Sequence, residues 1–356
     1  MGSGSSKIND PQSKNQQYKE FQEHPLLNAI ENPINRFCDD FASSLVEDSS
    51  SRIQKSETQM NQTEQEEIPG YTILKVLGNG AEAIVYKALK ARTTTPIALK
   101  HYKMINNKGQ NGMPYEYEIA QLLDHPHCLK MYDCFQLPNG DYMISMPIGT
   151  YGSLQSSTVP VMTISEGILF LSQLGSALAH MHSRNVVHCD IKPTNILLFE
   201  EGYAFCDYSV SFHLKAMDQQ ISGVRGTSIF MASEISVNYY NPKPVDVWAL
   251  GITLYSLMFG CFPYHLEKAL EENEGKKWEN TGPITRCINE YELTFPEVPA
   301  IPDEMKSIFA GMLAKDPNER LTAQQIADNE WIKEKCDEWQ KILDYMKGDI
   351  PIISDV

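Results

Sequence analysis

Cations are scarce in this sequence: 30 Lys and Arg stand against 46 Asp and Glu, for a formal net charge of -16. A polyanion is gripped by a dense basic footprint that displaces counterions, so nucleic acid is not expected as a partner. Long apolar runs are missing as well. Nothing approaches the roughly 20 apolar residues of a spanning helix, and the first residues lack the apolar core of a secretory signal. A secreted or membrane-crossing chain is therefore not expected. The cysteines, Cys38, Cys128, Cys134, Cys189, Cys206, Cys261, Cys287 and Cys336, form no Cys-x-x-Cys pair and lack the dense spacing of a small disulfide scaffold. Reduced thiols in the cytosol are the reading, and a cytoplasmic location the expectation. Internal repeats are absent too.

What is present suffices for a substantial core: 42% of residues are hydrophobic and 10% aromatic, too apolar for wholesale disorder. Residues 1–68, rich in Ser, Gln, Asn and Glu, read as a mostly disordered leader. Inside it, Asn32 and Pro33 precede Ile34, Phe37, Cys38, Phe41 and Leu45 at helical spacing, which predicts a short amphipathic helix. Asp39, Asp40 and Glu47 on its polar face favour docking on a partner protein over an anionic bilayer; a transient helix with no partner is the alternative. The first residues, Met1-Gly2-Ser3-Gly4-Ser5-Ser6-Lys7, fit an N-myristoylation pattern with Gly2 as acceptor. A single acyl chain gives reversible membrane association; a flexible Gly/Ser start is the other reading.

After Ile68-Pro69-Gly70, the runs Tyr71–Val76, Ala83–Leu89, Pro96–Lys103, Leu129–Gln136 and Asp141–Met146 read as strands, interrupted by a helix over Tyr115–Leu123. From Ile164 the period becomes helical, notably over Ile168–Ser183, Val245–Phe259, Pro302–Leu313 and Ala323–Lys333. Strands followed by helices, joined near residue 150, predict an α+β chain of two lobes with a cleft between them.

The polar residues that interrupt these runs carry the chemistry. Gly78-Asn79-Gly80 sits between strands, where glycines let backbone amides close over phosphates, although the same tripeptide also makes an ordinary hairpin turn. Lys100 ends an apolar run and needs an anionic partner, because an unpaired buried ammonium is costly. Glu116 and Glu118 lie on different faces of their helix, so only one points inward; Glu116 is preferred by its distance from His125-Pro126, with Glu118 the alternative. The segment Val186-Val187-His188-Cys189-Asp190-Ile191-Lys192-Pro193-Thr194-Asn195 packs an aspartate, a lysine and an asparagine beside hydrophobic runs. Phe205-Cys206-Asp207-Tyr208-Ser209 adds a second aspartate, and Asp207 with Asn195 offers the hard oxygens that Mg²⁺ prefers.

Together these motifs resemble the eukaryotic protein kinase family, from Tyr71 to about Glu334, with residues 335–356 as a tail. Later landmarks agree: Gly226-Thr227-Ser228-Ile229-Phe230-Met231-Ala232-Ser233-Glu234, Asp246-Val247-Trp248-Ala249-Leu250-Gly251, and Arg320 as the partner of Glu234. The resemblance implies the two-lobed kinase fold, with a small β-rich lobe, a larger helical lobe, and an ATP cleft between. It implies transfer of the terminal phosphate of Mg-ATP to a protein hydroxyl. Leu77, Gly78, Asn79, Gly80, Val85, Ala98 and Lys100 would line the nucleotide, and Glu116 would pair with Lys100. Asp190 would orient the acceptor hydroxyl and take its proton, Lys192 would neutralise the phosphoryl group, and Asn195 and Asp207 would hold Mg²⁺. Lys192 with Gly226-Thr227 resembles the serine/threonine branch, and Thr227 is expected to face Asp190 and Lys192. Weaker likeness to calcium/calmodulin-dependent kinase kinases lies in Phe230–Glu234, Asp246–Tyr255 and Phe259–Pro263. The mixed-charge tail from Lys333 does not support calmodulin control.

Several positions depart from the family pattern. Cys189 replaces an arginine that pairs with an activation-segment phosphate, which predicts constitutive or partner-gated activity that does not depend on such phosphorylation. Tyr208 and Ser209 replace Phe and Gly: the tyrosine hydroxyl needs a partner, and serine loses access to positive φ. Ala83 stands at a glycine position and Ser233 at a proline position. Cys206 reads as a buried inert thiol, with oxidant sensitivity the alternative. These departures keep a second reading open, a nucleotide-binding pseudokinase.

Overall fold

The structure is a computed structural model that describes residues 68–80, 83–103, 108–109, 111–154, 162–236, 239–272 and 281–347. Gly2 and the helix expected over residues 34–45 lie outside them.

The alternating runs after Gly70 form an antiparallel sheet. Strands β1 (Tyr71–Asn79), β2 (Ala83–Lys90) and β3 (Pro96–Tyr102) follow in sequence, then β4 (Asp133–Gln136) and β5 (Tyr142–Met146), in the order β1-β2-β3-β5-β4. Period-two alternation divides the side chains between two faces. Leu99 and Met143 join Ile68, Ala88 and Leu137 in a small cluster. Ala98, Tyr102, Ile144 and Met146 join the main core with Ile119 and Ala120 of helix α1 (Tyr115–Gln121). Lys100 shares the face of Ala98 and Tyr102, so the strand period aims it toward α1.

Helix α2 (Ile164–Ser183) begins earlier than its apolar period suggests, because Thr163 and Glu166 form a reciprocal capping box. Two short ladders follow, β6 (Val186–Val187) with β9 (Phe212–His213), and β7 (Ile196–Phe199) with β8 (Gly202–Phe205). Helix α3 (Pro242–Phe259) starts at a proline behind the cap Asn241, whose side chain accepts from the Lys243 amide. It is buried along its length except at Lys243 and Pro244, and stops at Gly260, whose φ of 66° a side chain would resist. Helices α4 (Glu267–Glu272), α5 (Gly282–Glu290), α6 (Asp303–Met312), α7 (Ala323–Ala327) and α8 (Glu330–Lys347) complete the lobe.

Two expectations change. The strand expected over Leu129–Gln136 is confined to Asp133–Gln136, since the Leu129 amide bonds to Phe205 and the Tyr132 amide to Ser145 rather than forming one ladder. The single helix expected over Ala323–Lys333 is two helices. Thr322 caps α7, and the Asn329 side chain accepts from the Ile332 amide at 3.1 Å, restarting the chain as α8. Helix α8 then runs to Lys347.

Arg320 ties the far end of this lobe together. Its guanidinium pairs with Glu234, donates to the carbonyls of Ala314 and Pro244, and lies 5.0 Å from the Trp248 ring. With no solvent reaching the Arg320 side chain, removing it would strand a poorly solvated carboxylate, at a cost of about 3 kcal/mol. Arg320→Met is expected to lower the melting temperature by roughly 6 to 12 °C. A thermal scan should show part of that loss restored when Glu234→Gln is added.

Candidate active site

Three backbone segments converge at the site: β3, the loop between β6 and β7, and the loop after β8. The middle loop is shaped by Asp246 of α3, whose buried carboxylate accepts the amides of His188 at 2.9 Å and Cys189 at 2.8 Å, and meets His182 Nε2 at 3.0 Å. Hydrogen bonds to a charged acceptor contribute about 1.5–3 kcal/mol each, enough to hold Cys189 at its left-handed φ of 65°.

The buried His188 ring links this loop to the next. The Asp190 amide donates to its Nδ1 at 3.3 Å, which leaves the proton on Nε2 to donate to the Cys206 carbonyl at 3.1 Å. Neither His188 nor Asp246 was assigned a site role from the sequence. The available signal was an aspartate inside an otherwise apolar helical run.

Lys100 finds two anionic partners. Its ammonium lies 2.7 and 2.9 Å from the Glu116 oxygens and 3.1 Å from Asp207 Oδ1. Glu116 is thus the inward residue, while Glu118 accepts the Asn111 amide at the surface. Burial alone would lower the Lys100 pKa, but Glu116 and Asp207 outweigh it and hold the ammonium protonated. Burial raises the Glu116 carboxyl against the pull of Lys100. For Asp207 burial also acts upward, but the Lys100 charge and hydrogen bonds from Lys100 and Ser209 win, leaving it below the usual carboxylate range.

Asp190 is the second focus. Its Oδ1 accepts the Thr227 hydroxyl at 2.8 Å, and its Oδ2 accepts the Asn195 amide at 2.9 Å and lies 2.9 Å from the Lys192 ammonium. Lys192 also donates to Thr227 Oγ1 at 2.6 Å, closing the Asp190, Lys192 and Thr227 triangle. Thr227 can reach because Gly226, at φ 86°, passes so close that a Cβ there would lie 2.2 Å from the Cys189 carbonyl.

The glycine-bearing hairpin lies at the end of β1. Gly78 pairs with Val85 and Asn79 with Ile84, while the Gly80 amide donates to the Ala83 carbonyl at 2.9 Å. A Cβ at Gly78 would meet nothing within 4 Å, and Leu77 is exposed. Val85 in turn pairs with Lys100, and buried Ala98 with Met146, so both stand beside the lysine in the sheet.

The donor set fits a hard cation. Asp207 is ionised, and the Asn195 amide nitrogen is spent on Asp190, while no described group donates to its oxygen. Two protein oxygens suit Mg²⁺, which keeps waters and phosphate oxygens as its other ligands. Among the described residues there is no larger His, Cys, Asp and Glu cluster that would suggest another metal.

The altered positions are accommodated. The Tyr208 hydroxyl donates to the Phe205 carbonyl at 3.0 Å, so its buried ring costs no unpaired polar group. Positive φ falls on Asp207, at 60°, and not on Ser209, so serine carries no backbone strain there. Burial pushes the Cys206 and Cys189 thiols upward, away from the reactive thiolate.

Comparison with known proteins agrees with this geometry. The chain is 29% identical over 273 residues to "Serine/threonine-protein kinase ULK3" of Rattus norvegicus, covering 74% of this chain and 55% of that protein. It is 28% identical over 277 residues to "Serine/threonine-protein kinase PLK4" of Drosophila persimilis, covering 75% and 34%. It is 26% identical over 313 residues to "Calcium/calmodulin-dependent protein kinase kinase" of Caenorhabditis elegans, covering 79% and 56%. The chain therefore matches about half, or less, of the length of these curated relatives. The family described as "Protein kinase domain" matches residues 71–332, and with Lys100, Glu116, Asp190, Asn195 and Asp207 gathered at one site, this chain belongs to the protein kinase family.

Proposed function

We propose that the chain is an ATP-dependent protein serine/threonine kinase. The observation that carries this reading is the convergence of Thr227, Lys192 and Asn195 on the Asp190 carboxylate, beside the Lys100, Glu116 and Asp207 cluster. Nucleotide binding alone would use the Lys100, Glu116 and Asp207 cluster but not the Asp190, Lys192 and Thr227 triangle, so the non-catalytic reading is not favoured. The serine/threonine branch is supported by Lys192, by Gly226-Thr227 and by the names of the relatives.

Phosphoryl transfer spreads negative charge over oxygens and needs positioning more than covalent chemistry. Lys100, kept protonated and aimed by Glu116, would contact the α- and β-phosphates. Asp190 would orient the acceptor hydroxyl and take its proton, while Lys192 offsets charge on the phosphoryl oxygens. Asn195 and Asp207 would hold Mg²⁺, which when bound neutralises phosphate charge. Thr227 would keep Asp190 and Lys192 in register. Asp190→Asn is expected to lower kcat about 100- to 10,000-fold on a generic protein substrate with Mg-ATP. Equal phosphate transfer by the two proteins would overturn the enzyme reading.

Control is the second part of the proposal. Cys189 offers no cation for an activation-segment phosphate, and Thr227 is already bonded to Asp190 and Lys192. Phosphatase-treated protein is expected to keep its activity. Abolished transfer, recovered by restoring a phosphate at Ser222, Thr227 or Ser228, would show conventional activation instead.

At the N-terminus the support is sequence alone: Gly2 as a myristate acceptor giving reversible membrane association of a cytoplasmic enzyme, and the segment from Asn32 to Leu45 as a docking helix for a partner protein. Intact mass of the protein from native cells should show the myristoyl increment, and an unmodified Gly2 removes the membrane proposal.

A further inference from the structure

Arg225 stands out in an acidic chain. It immediately precedes Gly226, the residue whose backbone lies against Cys189 and Asp190, so its backbone passes within one residue of the catalytic carboxylate. The side chain is exposed, and it forms no ion pair with any described carboxylate. Its contact is with an aromatic face: the guanidinium carbon lies 5.7 Å from the Phe212 ring centroid. Stacking on an aromatic ring occupies the face of a guanidinium and leaves its edge donors available.

The nearby acids are all engaged elsewhere. Asp190 is held by Thr227, Asn195 and Lys192; Asp246 by His182 and the amides of His188 and Cys189; Glu234 by Arg320. The backbone around Arg225 is fixed on both sides. Upstream, Ile221 and Tyr240 exchange amide bonds at 2.9 and 3.0 Å, and the Tyr240 hydroxyl donates to the Gly223 carbonyl at 3.0 Å. Downstream, Thr227 is bonded to Asp190. An uncommitted guanidinium is thus displayed from a braced segment beside the residue that receives the substrate hydroxyl.

Resting on the kinase reading, we propose that Arg225 determines substrate specificity by pairing with an anionic group, a carboxylate or a phosphate, near the acceptor serine or threonine. Arginine binds both groups through its forked donors, and a braced backbone reduces the ordering cost of the encounter. In a chain of net charge -16, an acidic substrate is otherwise repelled, so a local cation gives discrimination that the overall charge would not.

The test uses the phosphatase-treated full chain, so that no phosphate on its own Ser222 competes. Peptides sharing one acceptor carry alanine, glutamate, phosphoserine or lysine at each position within a few residues of it, and kcat and KM are measured for each. At one or more positions an anionic residue is expected to lower KM roughly fivefold relative to alanine, the upper range for a solvent-exposed ion pair. In Arg225→Gln the ratio of kcat/KM for the anionic over the alanine peptide should fall to about one, with Arg225→Lys in between. Gain with glutamate identifies a carboxylate as the recognised group, and gain with phosphoserine alone a phosphate. Equal kinetics for all flanks, or a preference that persists in Arg225→Gln, would overturn the proposal. Failure of the kinase reading looks different: no peptide would be phosphorylated, or Asp190→Asn would transfer phosphate as well as the unsubstituted chain.

Discussion

Everything at the site hangs from the Asp246 carboxylate. It is buried in the central helix α3, where the loop between β6 and β7 supplies the donors that offset its burial, the amides of His188 and Cys189, with His182 completing the set. The dependence runs both ways: the loop takes an unfavourable left-handed turn at Cys189 because that turn is what brings two consecutive amides onto one carboxylate. Asp190 follows at once, its backbone placed by Cys189 and its carboxylate held by Thr227, Asn195 and Lys192. His188, donating to Cys206 and accepting from Asp190, passes the same constraint to the loop that carries Asp207.

The second constraint is the charge balance around Lys100. One ammonium with one carboxylate would settle as a simple ion pair. One ammonium between Glu116 and Asp207 instead joins the small lobe to the loop following β8. Asp207 is the more exposed of the two acids, with 39% of its side chain reached by solvent against 3% for Glu116. The buried pair is the fixed member, and Asp207 is the one open to solvent.

Departures from the family pattern are absorbed by neighbours rather than by a change of architecture. Tyr208 keeps its ring in the core because the Phe205 carbonyl accepts its hydroxyl. The Ser209 hydroxyl helps hold the Asp207 carboxyl below its usual range, which glycine could not do. The Cys189 thiol, small and with its pKa pushed upward by burial, sits beside Asp246, to which its own amide donates.

Much of this was legible in the residues alone. The apolar run ending at Lys100 called for an anionic partner, helical period located α2, α3 and α6, and the order of the Asp, Lys and Asn motifs resembled the protein kinase family, which implies phosphoryl transfer; local pattern is written locally. What the sequence could not decide was anything that depends on a partner distant in the chain. The division of Leu129–Gln136 between two lobes, the break at Asn329, the role of Asp246 and the uncommitted state of Arg225 each rest on which groups meet across the fold. Hydrogen bonds and ion pairs depend steeply on distance and direction, and only the tertiary structure sets those.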